Sequence, residues 1–417
     1  MKKLTLTALG LALVCAGNAQ AGGYQLNEFS TTGLGRAFAG AGIMDDDYSN
    51  LANNPAGMVL AKRSGIQLGY TAVEEYSHIK GTNPGETTKM HYPVSLPSAF
   101  GQWRVNDKAT LGAGFYVPFG LSTKHKSDSF VGQGALGGPR KSELQVMDSA
   151  IAGAYRVTDK LSLGATGIYR YIHGNMTGNV PFPGGGEANY DLDGWTMTGI
   201  IGAMYEYSPQ TRFGISYKFK SKQTVKGQYS VEANNPTFAR VFDDGRASPD
   251  LPASIILSAY HQLNDKWGLS ASARWTQWSV FDTFTMYTPS GTQDTTMAAL
   301  GGGGTFQQQH YAWHDTITYS LGADYKINDN WTWRFGGAYD PSPCKSANNR
   351  TNRIPDVNRI WAATGFSYQN GNWQLDGGFA HLFMTKGWAH KEYNRTTVEA
   401  QYASSSNMYS LNLQYKF

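Results

Sequence analysis

Apolar and polar residues alternate with a period of two along most of this chain, and nothing else in the sequence restricts its fold as much. From Trp267 to Gln277, the residues Trp267, Leu269, Ala271, Ala273 and Trp275 alternate with Gly268, Ser270, Ser272, Arg274 and Thr276. Ile317, Tyr319, Leu321, Ala323 and Tyr325 alternate in the same way with Thr316, Thr318, Ser320, Gly322 and Asp324. Trp331, Trp333 and Phe335 share a face opposite Thr332 and Arg334, as do Trp373, Leu375 and Phe379 opposite Gln374 and Asp376. Successive strand side chains point to opposite faces, so each segment reads as a strand with one apolar face and one small or polar face.

A soluble antiparallel sandwich alternates too, but three features favour a membrane. Aromatic residues cluster at segment ends, where a girdle meets the lipid interface. Short turns (Asn264-Asp265-Lys266, Asn328-Asp329-Asn330 and Gln369-Asn370-Gly371-Asn372) alternate with much longer polar loops. Tyr409, Leu411, Leu413, Tyr415 and Phe417 place alternate apolar side chains up to a terminal aromatic, similar to the assembly signal of outer-membrane barrels. Past the first 21 residues, no apolar run approaches the roughly 18 residues of a membrane helix. The 25 Tyr, 11 Trp and 49 Gly suit a wall that is greasy outside and polar inside. An open sheet edge in hydrocarbon leaves backbone groups unpaired, so the sheet must close. The expectation is an all-β, transmembrane antiparallel β-barrel of about fourteen strands in the outer membrane of a Gram-negative bacterium. Its expected surroundings are outer-membrane lipid and lipopolysaccharide, with the barrel-assembly machinery as a partner.

The division expected is a signal peptide at 1–21, a non-strand amino-terminal segment at 22–62 and the barrel at 63–417. Lys2 and Lys3 precede an apolar stretch from Leu4 to Ala16, and Ala19-Gln20-Ala21 gives a small-x-small cleavage pattern. Cys15 in that stretch raises a lipoprotein reading, which Val14 before it fits poorly. With the signal gone, 35 − 2 = 33 basic residues face 31 acidic ones, a balance that makes no electrostatic case for nucleic acid. Cys344 is then the single thiol, so no internal disulfide forms.

Gly22 to about Lys62 breaks the alternation. It carries Gly33, Gly35, Gly40 and Gly42, Asp45-Asp46-Asp47, and Asn53-Asn54-Pro55-Ala56-Gly57, a density of glycine and proline that punctuates strands rather than builds them. Three groups of residues resemble the FadL family of outer-membrane transporters of long-chain fatty acids and other hydrophobic compounds. The first runs from Gly23-Tyr24-Gln25-Leu26-Asn27-Glu28-Phe29-Ser30 through Gly33-Leu34-Gly35-Arg36-Ala37-Phe38-Ala39-Gly40 to Asn54-Pro55-Ala56. The second is Asp250-Leu251-Pro252 with Trp275-Thr276-Gln277-Trp278-Ser279. The third is Asp340-Pro341-Ser342-Pro343 with Ile354-Pro355-Asp356-Val357-Asn358-Arg359-Ile360-Trp361.

That resemblance implies a barrel whose lumen is plugged by the hatch, with Asn54, Pro55 and Ala56 as its motif. Ligand would bind near the hatch's first residues, with Tyr24, Leu26 and Phe29 as pocket residues, and leave through a gap where the third strand kinks inward. The matching strand contains Phe115, Pro118, Phe119 and Gly120. Pro118 donates nothing to the ladder and Gly120 weakens it. A strand end at the membrane rim is the competing reading of Pro118.

The match has departures. The family's basic pair for the fatty-acid carboxylate falls at Gly178 and Gln309 here, which leaves Arg170 and His310 as candidate substitutes. The loop after Asn175 (Val180-Pro181-Phe182-Pro183-Gly184-Gly185-Gly186) is short where the family often has helical hairpins. These departures keep uncharged aromatic hydrocarbons open as substrates. An outer-membrane hydrolase is the reading from another class, but His314, Asp315 and the scattered Ser residues form no recognisable triad motif. An open porin conflicts with a hatch. No cofactor and no metal site is expected, since His78, His91, His125 and His173 lack paired ligand spacing. Gly301 to Gly304 lacks the strand-to-helix setting of a phosphate loop.

Overall fold

The computed structural model describes residues 23–45, 47–126, 129–131, 139–179, 186–233, 241–287, 305–393 and 396–417. The expected signal (1–21), the loop 180–185 and Gly301 to Gly304 lie outside the described residues. Strands β1 (Gly65–Gly81), β2 (Thr87–Arg104), β3 (Ala109–Lys124), β4 (Pro139–Arg156), β5 (Leu161–Asn179) and β6 (Gly186–Ser208) form an antiparallel meander. The turn expected after Asn175 thus begins later, because β5 pairs with β6 as far as Asn179.

The next four strands of the wall are each interrupted by five or six residues. β7 (Thr211–Lys218) is followed by β8 (Val225–Ala233), and both pair with β6. In the same way β9 (Val241–Ala247) precedes β10 (Ser254–Gln262), β11 (Trp267–Thr276) precedes β12 (Thr283–Tyr287), and β13 (Thr305–His310) precedes β14 (Thr316–Lys326). β15 (Trp331–Asp340), β16 (Arg359–Asn370), one strand interrupted at 385–386 into β17 (Trp373–Met384) and β18 (Gly387–Tyr393), and β19 (Thr396–Lys416) complete the wall. β19 returns to β1 in one register from Gly65 opposite Lys416 to Gly81 opposite Ala400, which closes a fourteen-stranded barrel.

The apolar face of the alternation is the outer one. Leu68, Leu111, Ile151, Ile201, Leu321 and Leu411 are all exposed, where a lipid chain replaces water. Trp103, Trp267, Trp331 and Trp373 sit beside the short turns and also face outward, as an interfacial belt requires.

Residues from Gly23 to the start of β1 pack inside the ring. Helix α1 (Thr31–Gly35) touches β15, β16, β17 and β19, while 3-10 turns at Tyr48–Ala52 and Pro55–Leu60 touch β2 to β6. A segment in contact with strands on opposite sides of a closed wall lies in its lumen. Local chemistry fixes its shape. Ser30 caps α1 by accepting from the Gly33 N–H at 2.9 Å, and Asp47 and Asn54 cap the two turns from the same kind of position. Asn54 also reaches the wall, its Nδ2 donating to the carbonyls of Ala203 at 3.1 Å and Ile215 at 3.3 Å. Glycine in the wall makes this approach possible. A Cβ at Gly202 would collide with the Asn54 side chain, and one at Gly336 with the Arg36 carbonyl.

Candidate functional site

The inward faces of the strands divide the lumen into two chemical zones. Around the amino-terminal segment they are polar: Gln67, Thr71, Ser98, Gln102, Asp376, Asn412 and Gln414 are all buried. Gln67 Oε1 accepts from the Tyr48 N–H at 2.9 Å, and Thr71 Oγ1 donates to the Glu28 carbonyl at 2.7 Å. Asp324 accepts from Arg36 Nε of the segment at 2.7 Å and lies 3.4 Å from Arg334 Nε of β15. A plug made of turns carries many backbone polar groups, and such a wall gives them partners.

On the other side of Tyr24 the inward faces are apolar. Leu121, Val146, Ile172, Leu192, Val225, Tyr229 and Met286 form one buried cluster with Tyr24. Leu121, Ile172, Leu192, Val225 and Met286 line with Tyr24 an open-mouthed cavity of about 80 Å³, which Glu143 and Arg353 also line. Tyr24, Phe281 and Tyr311 make its floor, and further rings back them. The Tyr24 ring lies 4.9 Å from Trp278, 5.4 Å from Phe281, 5.8 Å from Trp313 and 6.0 Å from Phe119. The Tyr24 hydroxyl is buried and has no partner among the described residues.

The same floor touches an irregular part of the wall. β2 and β3 pair only from Ala99 opposite Phe115 to Arg104 opposite Thr110. Beyond Phe115, β3 stays with β4 but takes an extra residue between Tyr116 and Phe119, a bulge at Val117-Pro118. The edge that β2 leaves is taken by the amino-terminal segment. Leu26 N–H donates to the Pro118 carbonyl at 2.8 Å, and Gly120 N–H donates to the Tyr24 carbonyl at 3.0 Å. Across the opening, β2 carries Pro93 and Pro97. Residues four apart in a strand present their N–H positions to the same edge, so both missing donors fall on one side.

The expected site residues therefore separate. Tyr24 lines the cavity, and Phe119 does not, being buried behind it against the Tyr24 ring. Pro118 and Gly120 hold the amino-terminal segment, and Phe115 is the last β3 residue paired with β2, its ring turned outward. Leu26 packs instead with Val73, Val94 and Leu96, and its side chain fills the space that Gly120 leaves empty. Phe29 lies deeper, against Phe100 and Tyr116. Asn54, Pro55 and Ala56 are remote from the cavity and anchor the segment to the wall. Arg170 faces inward, but both its Nε and Nη2 bond Asp148, at 2.6 and 2.8 Å, and Nη1 bonds Ser221 at 2.8 Å. His310 is exposed and lies 3.6 Å from Asp282. Neither cation lines the cavity, and nor do Gly178 and Gln309. Among the described residues no cluster with metal-ligand composition occurs.

Sequence reasoning missed the aromatic cluster of Trp278, Phe281, Tyr311 and Trp313, which sit in the interruptions between strand segments, at 277–282 and 311–315. One signal was present: Trp275 and Trp278 are three apart, so they cannot share a face of one strand.

Comparison with known proteins follows the same lines. A family model described as "Outer membrane protein transport protein (OMPP1/FadL/TodX)" matches residues 12–417. The chain is 33% identical to a 47 kDa outer membrane protein of Pasteurella multocida over 100% of this chain and 99% of that one. It is 28% identical to the long-chain fatty acid transport protein of Escherichia coli K12, over 90% of each. Among solved structures, a Pseudomonas aeruginosa FadL homologue superposes with a TM-score of 0.84 at 23% identity, covering 95% of this chain and 100% of that one. The Ralstonia pickettii toluene transporter TbuX has a similar fold, with a TM-score of 0.69 at 20% identity over 94% and 99% of the two chains.

Proposed function

The chain belongs to the OMPP1/FadL/TodX family of outer-membrane transport proteins, and from that premise we propose that it admits long-chain fatty acids passively and releases them sideways through its wall. One observation carries this reading: the segment whose Tyr24 lines the apolar cavity is joined by two hydrogen bonds, one at Tyr24 and one at Leu26, to the strand where the wall opens. A ligand resting on Tyr24 lies beside the bulge at Pro118 and the unpaired edge of β2. The energetics favour such a route. Each methylene kept out of water is worth about 0.8 kcal/mol, so a sixteen-carbon chain loses on the order of 10 kcal/mol by entering the periplasm directly. A lateral exit delivers it to lipid without that cost. Irregular backbone is tolerated at membrane depth where it lines a cavity, which is the setting of Val117-Pro118.

The relatives named as transport proteins support a non-enzymatic role. A second reading, uptake of uncharged aromatic hydrocarbons by the same route, draws on the ring-lined floor and on the fold shared with toluene transporters. Native mass spectrometry of the barrel purified from its own outer membrane tests both. Co-purified long-chain carboxylates are expected. Recovery of neutral aromatics alone would favour the second reading, and a cavity that releases only detergent would count against transport of either.

A further inference from the structure

The outer face of β1 carries Ile66, Leu68, Tyr70, Ala72, Glu74 and Tyr76 in turn from the end beside the short turns. The step from Ile66 to Tyr76, at roughly 3.4 Å per residue and a tilt of about 40°, climbs roughly 25 Å, the height of a barrel's apolar band. Tyr76 therefore marks the far edge of the hydrocarbon. Its row continues through Ser405 to Phe383 on one side and to His91 on the other. The Tyr76 and His91 rings stack at 4.4 Å with an angle of 8° between them.

Above that row the outer face becomes basic. His78 stands opposite Lys89, and Lys80 opposite Thr87. Lys80, Lys89 and His91 are exposed, and His78 Nε2 lies 2.8 Å from the Thr87 hydroxyl. On the other flank, Gln401 separates Lys80 from the outward ring of Trp388. No carboxylate shares these rows. Glu74 lies below and accepts from the Tyr76 hydroxyl at 2.9 Å, Glu86 in the turn accepts from Asn83, and Glu399 pairs with His390 at 2.7 Å. Among the described residues neither lysine has an ion pair. Elsewhere on the rim the pattern reverses: the rows of β5 and β6 above the Tyr171–Trp195 pair hold Asp193 and Asp191.

Two unpaired lysines with two histidines, set just above the apolar band, meet the outer leaflet where its headgroups lie. In a Gram-negative outer membrane those headgroups are the phosphates of lipid A, carried on an acylated disaccharide. Ammonium and imidazole donors recognise phosphate oxygens through charge-assisted hydrogen bonds. We propose that Lys80 and Lys89, with His78 and His91, form a binding site for a phosphate of lipid A, whose sugar and upper acyl chains rest on Tyr76 and Trp388. The site is independent of what the lumen carries, but its place has a consequence. β2 carries Lys89 and His91 and has no β3 partner above Ala99, so the bound lipid's acyl chains run down the wall beside the opening.

The test is native mass spectrometry of the purified full chain in detergent, titrated with bisphosphorylated lipid A. One lipid A is expected to stay bound, at least tenfold more tightly than the enzymatically dephosphorylated form or phosphatidylglycerol. Lys80→Gln/Lys89→Gln should lower that affinity at least tenfold, and Lys80→Arg/Lys89→Arg should keep it. Lys222→Gln/Lys226→Gln, which removes two exposed lysines from another face, should leave it unchanged. Native mobility on unheated gels verifies the folding of each variant. Undiminished binding in Lys80→Gln/Lys89→Gln overturns the site, as does an equal loss in the Lys222 and Lys226 variant. Equal binding of dephosphorylated lipid A shows that acyl chains alone are held and overturns phosphate recognition. Equal binding of phosphatidylglycerol, or displacement by millimolar inorganic phosphate, reveals an unselective anion surface and overturns the assignment to lipid A.

Discussion

The two zones of the lumen are made from one wall and treat a guest in opposite ways. Where the wall meets the plug, its inward residues are Gln67, Thr71, Gln102, Asn412 and Gln414, and they bond backbone and side chains of turns. Where it meets the cavity, its inward residues include Leu121, Ile172, Leu192 and Val225, whose side chains offer no hydrogen bonds. A folded plug must satisfy its peptide groups, so it needs a polar host. A hydrocarbon chain has nothing to satisfy and must be able to leave, so it needs an apolar host without specific bonds. Tyr24 stands at the border, its backbone in the first zone's bonding pattern and its ring in the second zone's floor.

The strongest way to break this division is to remove charge compensation from the polar zone. Asp324→Ala takes away the carboxylate shared by Arg36 and Arg334, and breaking a buried pair from one side typically costs 3–5 kcal/mol. The plug should loosen while the wall, held by its own ladder, persists. Planar bilayers should then record ion conductance well above that of the wild-type barrel. Conductance at the wild-type level would show that Asp324 does not hold the plug.

Glu28 gives a smaller effect with a defined sign. It is buried in the plug, where burial is the largest influence and raises its carboxyl to about 7, with Asp340 adding to the rise. Its Oε2 accepts from the Asn27 N–H at 2.6 Å, and Oε1 has no partner. The folded form therefore holds a proton that the unfolded chain releases near pH 4.5. Stability from this group is complete below that value and falls as pH rises toward about 7. Amide protection of residues 24–30 should decline between pH 5 and pH 8. Glu28→Gln should flatten the decline and stabilise the plug by on the order of 2 kcal/mol at pH 8. An unchanged decline in the variant would assign the pH dependence elsewhere.

The apolar zone is sharpened by placing one polar group in it. Leu192→Asn puts an amide into an apolar stretch of the cavity wall, and ligand affinity should fall about tenfold, the equivalent of about 1.4 kcal/mol. Equilibrium dialysis with palmitate measures this, and undiminished affinity would place the ligand outside the cavity.

How much of this was legible in the sequence follows from what each zone is made of. The fourteen crossings were readable because lipid demands an apolar residue at every second position, and Leu321 or Trp333 records that demand locally. The plug was readable through Asn54-Pro55-Ala56 and its glycines. The cavity was not, because its walls come from interruptions: Trp278 and Trp313 belong to neither periodicity, and their meeting with Tyr24 spans more than 250 positions of chain. Arg170 faces inward, but sequence alone does not say that Asp148 takes up its charge. The wall opening was read from Pro118, while Pro93 and Pro97 on the facing strand carried the same message unread.

The central claim, that ligand leaves the cavity between β2 and β3, is tested most directly by closing that opening with a bond. Continuing the register past Ala99 and Phe115 by two residues sets Pro97 opposite Val117. The double variant Pro97→Cys/Val117→Cys allows a disulfide across the gap and leaves Gly120, whose Cβ would meet Leu26, untouched. The account predicts that the oxidised variant binds palmitate with wild-type affinity and takes none up, and that a reductant restores uptake. Uptake at the wild-type rate through the oxidised, demonstrably cross-linked wall would contradict it and send the ligand out through the plug instead.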